Sequence, residues 1–251
     1  MLNRANNLQA IILAGGEGTR LRPYTTVLPK PLMPVGNYPI LEIVIRQLKR
    51  HGFRHIVLSI GYHYEIFRAF FQDGKKWGVQ IEYSIEEQPL GTAGPLRLVK
   101  NLEDNFLVMN GDTLTDLNYS ELYNTHLREG SNMTIATKNR AVKIDYGVIR
   151  CDQNMELLSY TEKPELEYTV GMGVTIFSKR LLELIPVGER YDMPNLVNEM
   201  IRRGIPIRCF PFDGYWLDIG RYDDYKIAIE EFSENKKRFL GVEDDIQDTI
   251  V

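Results

Sequence analysis

LQAIILAGGEGTRLRPYTTVLPKP, residues Leu8–Pro31, is the stretch on which the fold turns. It starts with an apolar run, a strand candidate over Ala10–Ala14, and goes straight into Gly15, Gly16 and Gly18. A turn that bare, directly behind a first strand and opening toward a helix, lets backbone N–H groups approach phosphate oxygens closely. Two familiar phosphate loops fail here. The G-x-x-x-x-G-K-[ST] loop needs a lysine that does not follow Gly18, and Leu21 stands where the dinucleotide fingerprint G-x-G-x-x-G requires its third glycine. The loop carries cations of its own, Arg20 and Lys30. Pro29 and Pro31 fix the backbone around Lys30, so its ammonium is aimed. Alone, the stretch is as readily a glycine-rich turn with solvated cations.

Working outward, further apolar runs at His55–Ile60, Gln80–Ser84 and Phe106–Met109 read as buried strands. Amphipathic stretches at Pro39–His51, Tyr64–Phe71 and Gly94–Leu102 fall between them as helix candidates. This alternation predicts an α/β doubly wound, mostly parallel sheet with right-handed connections. The second half is mixed, with strands expected at Met133–Thr137, Tyr146–Arg150, Leu157–Thr161, Val174–Phe177 and Ile207–Phe210 and a helix near Pro194–Arg203. No repeat or Pro/Ser-rich linker divides the chain. The expectation is one domain over 1–232 and a charged helix or tail over 233–251.

The 251 residues are 43% hydrophobic and 25% charged with a net charge of −4, so neither nucleic acid nor an anionic membrane is drawn in by bulk charge. The cysteines, Cys151 and Cys209, have no CxxC partner, which argues against a zinc site or disulfide framework and for a reducing, cytoplasmic setting. No apolar run reaches the roughly 18 residues of a membrane span, and the first residues lack a signal-peptide core.

Asp112 ends an apolar strand in Asn110-Gly111-Asp112, and ligands of open α/β sheets sit beyond strand carboxyl ends. A carboxylate there suits Mg²⁺, which prefers oxygen donors and substrate phosphates. Asp218 lies in the otherwise apolar Trp216-Leu217-Asp218-Ile219-Gly220, where it needs a cation or hydrogen-bond donors. Either aspartate alone reads better as a turn residue or helix N-cap. Lys163 is held before Pro164 in Glu162-Lys163-Pro164.

Together these segments resemble the sugar-1-phosphate nucleotidyltransferases, from about Leu8 to Tyr225. The glycine loop is similar to that family's phosphate signature, and Gly91-Thr92-Ala93-Gly94 to its base-binding segment. The resemblance implies a Rossmann-like, GT-A-like sheet whose mixed second half supplies the sugar site. It implies a nucleotide site of Leu13, Gly15, Gly16, Gly18, Thr19, Glu86, Gly91, Thr92 and Asn110. It further implies Arg20 on the leaving pyrophosphate, Lys30 on nearby phosphate oxygens, Lys163 on the sugar phosphate, and Asp112 and Asp218 on Mg²⁺. Gly147, Glu162 and Gly173 match positions that lie against the sugar. The expected substrates are an NTP and a sugar-1-phosphate, with no nucleic-acid or membrane partner.

The segment Glu86–Leu96 looks most like mannose-1-phosphate guanylyltransferases. Glu86 can only accept, which suits the N1–H and amine of guanine, so GTP and a mannose-like sugar are favoured over uridylyl, thymidylyl or cytidylyl transfer to glucose or heptose phosphates. A GT-A glycosyltransferase would usually show a DxD pair, and here Asn110 replaces the first aspartate. A non-catalytic homologue should have lost one of Arg20, Asp112, Lys163 or Asp218, all of which are present. Phe67, Phe70, Phe71 and Trp77 crowd one short segment, and with the resemblance they imply a homo-oligomer, a dimer or tetramer, although the rings read equally well as facing the sheet.

Overall fold

The computed structural model describes residues 7–61 and 63–241. Strand β1 spans Leu8–Leu13, and the short strands β2 (Pro34–Val35) and β3 (Tyr38–Pro39) pair as a hairpin before helix α1 (Ile40–Arg50). Next come β4 (Phe53–Ile60), α2 (Tyr64–Phe71), β5 (Gln80–Ile85), β6 (Asn105–Asn110) and β7 (Thr113–Thr115). Helix α3 (Tyr119–Glu129) leads to β8 (Met133–Lys143), β9 (Val148–Cys151), β10 (Leu157–Thr161) and β11 (Glu165–Ser178). The described chain closes with α4 (Met193–Arg202), β12 (Ile207–Pro211), β13 (Trp216–Asp218), α5 (Tyr222–Glu234) and α6 (Lys236–Leu240).

Seven strands form one sheet in the order β12-β8-β11-β6-β1-β4-β5. β6, β1, β4 and β5 run parallel, whereas β11 is antiparallel to β6 and β8. The sheet is thus mostly parallel with a mixed second half, as the strand-helix alternation predicts. β1 shows why both faces must be covered. Successive side chains point to opposite faces, and Ile11 and Ile12 are both fully buried. Ile12 packs with Val44 and Leu48 of α1 and Phe67 and Phe71 of α2, while Ile11 packs with Leu196 and Met200 of α4. Each such isoleucine contributes about 2 kcal/mol by leaving water.

Some boundaries differ from expectation for local reasons. The helix anticipated over Gly94–Leu102 is a single 3-10 turn, Gly94–Leu98, because the Gly94 amide donates to the Tyr191 carbonyl (2.8 Å) and Val99 is extended. Helix α3 was not anticipated. Its apolar stripe is only Tyr119 and Leu122 beside His126, although Asn118 caps it by accepting from the Glu121 amide (3.1 Å) and Gly130 ends it in the left-handed region. β8 and β11 continue past the sheet as a two-stranded ribbon, and β9 and β10, which lie between them in the chain, pair as a separate antiparallel hairpin.

The expected division at residue 232 falls inside α5. Phe232, Phe239 and Leu240 are buried in a third cluster with Leu21, Val35, Ile43 and Ile219, so the chain through α6 packs onto the sheet domain. The rest of the anticipated tail, 242–251, lies outside the described residues, as do residues 1–6. Phe67, Phe71 and Trp77 are buried, leaving Phe70 as the exposed ring of that segment. The oligomer expectation therefore loses its footing there, because these rings line the sheet. Both cysteines are free and exposed. Among the described residues no helix is long and apolar enough to cross a membrane.

Candidate active site

The glycine loop leaves the carboxyl end of β1 with the Ala14 amide bonded to the Ser59 carbonyl of β4 (2.9 Å). Gly15 is forced by space, since a Cβ there would sit 3.0 Å from Glu86 Oε1 and 3.1 Å from the Gly61 nitrogen. Gly18 has φ +61°, and its carbonyl accepts from Thr25 Oγ1 (2.7 Å) and the Leu21 amide (2.9 Å). Leu21 is 1% exposed and belongs to the third core cluster, so it anchors the loop from beneath. That anchoring explains a leucine where the dinucleotide fingerprint has glycine. Arg20, on the same turn, is exposed and lies beside Gly220, whose Cβ position is 3.5 Å from its Nη1.

Beside this loop, β6 delivers Asp112. The Gly111 amide bonds to the Leu13 carbonyl (3.0 Å), so the two strand ends leave the sheet together. The Lys30 ammonium, 8% exposed, donates to Asp112 Oδ2. The other oxygen, Oδ1, is buried without a protein partner. β13 pairs with β7 so that Asp218 faces Thr113, and the Ile219 amide donates to the Asp112 carbonyl (3.2 Å). Burial raises the Asp218 carboxyl above its usual range, and the charge of Asp112 adds to it, while Lys30 and Arg20 oppose the shift. Two carboxylates with surplus negative charge and an unpartnered buried oxygen fit a hard divalent cation. Among the described residues no group of three such ligands gathers, so phosphate and water oxygens would complete its shell.

Opposite the glycine loop, residues 90–94 are bound to 191–193. The Tyr191 carbonyl accepts from the Ala93 and Gly94 amides (2.9 and 2.8 Å), and the Tyr191 amide donates to the Leu90 carbonyl (2.8 Å). Asp192 Oδ1 accepts from the Thr92 amide (3.1 Å), and Thr92 Oγ1 accepts from the Met193 amide (2.7 Å). Gly91, at φ +82°, is required because a Cβ would fall 2.5 Å from Asp192 Oδ1. Glu86 is half-buried and already engaged, with Oε1 accepting from Ser59 Oγ (3.3 Å) and Oε2 from the Leu90 amide (3.2 Å). Burial raises its carboxyl, and these two bonds pull it back down.

All of these surround one cavity of about 660 Å³, within the range of small-molecule sites. It is lined by Leu13, Gly15, Gly16, Gly18, Thr19, Arg20, Lys30, Glu86, Gly91, Thr92, Asn110 and Asp112 from the expected set. Gln88 and Pro89, from the segment read as base-side, also line it, as do Gly61, Arg190 and Asp192, which went unread in the sequence because no spacing rule ties them to the glycine loop. Asp218 joins through Asp112 rather than through the lining. Gly173, at φ +71°, backs onto Asn110, whose Nδ2 is 2.7 Å from its Cβ position.

The other residues expected on the sugar side, Gly147, Glu162 and Lys163, flank β9 and β10 and are not in the lining. Lys163 has φ +43° between β10 and β11. Glu162 accepts from the Tyr160 hydroxyl (2.6 Å), and that ring lies so close to Gly147 that a Cβ would meet its oxygen at 2.2 Å.

The nucleotidyl transferase family model matches residues 9–235. A UTP–glucose-1-phosphate uridylyltransferase of Synechocystis sp. is 34% identical over 88% of this chain. A D-glycero-alpha-D-manno-heptose 1-phosphate guanylyltransferase of Campylobacter jejuni is 32% identical over 87% of it. The match covers 62% of the former protein's length and 97% of the latter's. The structure of HddC from Yersinia pseudotuberculosis complexed with GMP-PN superposes with a TM-score of 0.68 at 26% identity, over 90% of this chain and 99% of that one.

Proposed function

The chain belongs to the nucleotidyl transferase family, and from that membership we propose that it moves a nucleotidyl group from GTP to a mannose-like sugar-1-phosphate. The observation carrying this reading is a single cavity, at the carboxyl ends of parallel strands, that combines a bare glycine loop with Arg20, Lys30, Asp112 and, alongside, Asp218. An oxygen of the sugar phosphate attacks the α-phosphorus, one P–O bond forms, and the bond to the departing pyrophosphate breaks. The chain has only to position anions and neutralise their charge.

The loop amides between Gly15 and Thr19 hold phosphate oxygens. Arg20 stabilises charge that grows on the leaving pyrophosphate. Lys30, nearly buried and fixed by Asp112, supplies a second positive charge that cannot swing away. Lys163 brings in the sugar phosphate and offsets its repulsion from the triphosphate, with Glu162 on sugar hydroxyls and Gly147 and Gly173 giving close backbone approach. Mg²⁺ held by Asp112 and Asp218 would supply charge neutralisation between the two phosphate groups. EDTA should abolish turnover and magnesium restore it.

GTP is supported by the guanylyltransferase relative and by HddC, which was solved with GMP-PN. The manno configuration of that relative's heptose substrate supports a mannose-like sugar. Uridylyl transfer to glucose-1-phosphate is the second reading, favoured by the Synechocystis relative. Pyrophosphate release measured over GTP, UTP, dTTP and CTP against mannose-, manno-heptose- and glucose-1-phosphate separates the two. Maximal release with GTP and a manno sugar is expected. No release with any pair would overturn the reading.

A further inference from the structure

The nucleotide cavity has two chemically distinct ends. Arg20, Lys30 and the glycine-loop amides make one end a place for phosphates, so the base must lie toward the opposite end, between residues 86–92 and the loop 190–192. Three polar side chains at that end are already spent on protein partners. Glu86 accepts from Ser59 and Leu90, Asp192 Oδ1 accepts from the Thr92 amide, and the Thr92 hydroxyl accepts from the Met193 amide.

Arg190 is different. Its side chain is 71% exposed where it lines the cavity, and its single ion pair runs from Nε to Asp192 Oδ2 at 3.5 Å. Asp192 is itself fixed by Thr92, so the contact orients the guanidinium while leaving Nη1 and Nη2 without a partner among the described residues. A planar fork of donors, tethered at its base and open at its tip, is suited to two acceptors side by side.

We propose that Arg190 selects the base by donating from both terminal nitrogens to O6 and N7 of guanine, an inference that rests on the nucleotidyl-transfer reading above. Guanine alone among the four bases presents two adjacent acceptors on that edge. Adenine offers N7 beside an amino donor, which opposes the fork, and the pyrimidines have no N7. Guanine selection thus falls to a residue about a hundred positions from the base-side glycines, while Glu86 holds the turn that frames the pocket.

The test is equilibrium binding of GTP, 7-deaza-GTP and UTP to the whole chain and to its Arg190→Ala and Arg190→Lys variants, with melting curves as a check on folding. A bidentate arginine–guanine contact discriminates by roughly ten- to a hundredfold. The unaltered chain should therefore bind GTP at least about tenfold more tightly than 7-deaza-GTP, and Arg190→Ala should bring that ratio close to one. The GTP-over-UTP affinity ratio should drop by a similar factor, and lysine, lacking the fork, should recover only a minor part.

Parallel losses for GTP and UTP would show Arg190 to be a phosphate contact and overturn the proposal. A 7-deaza penalty that survives in Arg190→Ala would do the same, as would tighter binding of UTP than GTP by the unaltered chain. Because the readout is binding, it stands apart from turnover. An unaltered chain that binds GTP with this dependence yet releases no pyrophosphate would sink the catalytic reading and leave the base-reading role of Arg190 in place.

Discussion

Arg20 and Glu86 both line the nucleotide cavity, but only one is free to act on a ligand. Arg20 is exposed and has no hydrogen-bond or ion-pair partner among the described residues, so its charge is available to a ligand in the cavity. Arg20→Ala should lower kcat about a hundredfold, on the order of 3 kcal/mol, and change the KM for nucleotide far less. Steady-state kinetics showing a raised KM at unchanged kcat would make it a binding residue instead. Glu86 is tied to Ser59 and Leu90, and in Glu86→Ala the Leu90 N–H and the Ser59 hydroxyl both lose their acceptor. Leaving them unpaired should cost roughly 1–3 kcal/mol and weaken every NTP alike. A loss confined to GTP would return base reading to Glu86. That Gly15, Gly18, Arg20, Lys30 and Asp112 gather at one cavity was legible, because the first four fall in one run and Asp112 ends a strand. Arg190 and Asp192 were not legible, since Asp192 is tied to Thr92, 100 residues away, and only the folded chain brings Arg190 with it to the cavity.

Among the elements, β1, α1, β4 and α2 were readable from hydrophobic period alone, because each buries a broad apolar face. Helix α3 was not, and the reason is His126. This residue stands where an apolar side chain would have completed the stripe, and it is 1% exposed. Its ring bonds to Thr134 Oγ1 (2.9 Å) and Asn105 Oδ1 (3.0 Å), joining α3 to β8 and β6. Burial, with the charge of Arg180, lowers its pKa to about 4, and burial likewise brings His51 at the end of α1 to about 4. The folded state therefore keeps these rings neutral while the unfolded chain takes up protons near pH 6.5. Stability should be complete above pH 6.5 and fall as pH drops from there toward 4, since the unfolded state binds more protons throughout that window. Each ring should contribute roughly 2 kcal/mol to that fall, below the full shift. Melting temperatures at pH 7.5 and 5 should differ less in His126→Gln than in the unaltered chain. Equal differences would contradict this assignment.

At the scale of the whole molecule, the seven-stranded sheet was legible and the way the chain closes was not. Charged residues dominate 230–238, which reads as solvated, yet Phe239 ends fully buried. It packs on Phe232 with ring centroids 5.9 Å apart and edge-on to Tyr215 at 5.5 Å. This cluster also holds Leu21 below the glycine loop and Ile219 beside Asp218, so the end of the described chain braces two walls of the site. Phe239→Ala should destabilise by about 3–5 kcal/mol in denaturant unfolding, and a loss under about 1 kcal/mol would mean that α6 is dispensable. The ribbon of β8–β11 was underread for the opposite reason. Its apolar residues Ile149, Leu158, Tyr160 and Tyr168 promise a core, but they remain exposed.

Attack on the α-phosphorus of a nucleoside triphosphate is the chemistry from which every residue role above follows, and isotope partition reads it directly. The protein should be incubated with magnesium, mannose-1-phosphate and GTP labelled with phosphorus-32 at either the α or the γ position. Label from the α position should appear in a nucleotide-sugar, and label from the γ position in pyrophosphate. Release of γ label as inorganic phosphate, or failure of α label to join the sugar with any of the four nucleotides, would contradict the account.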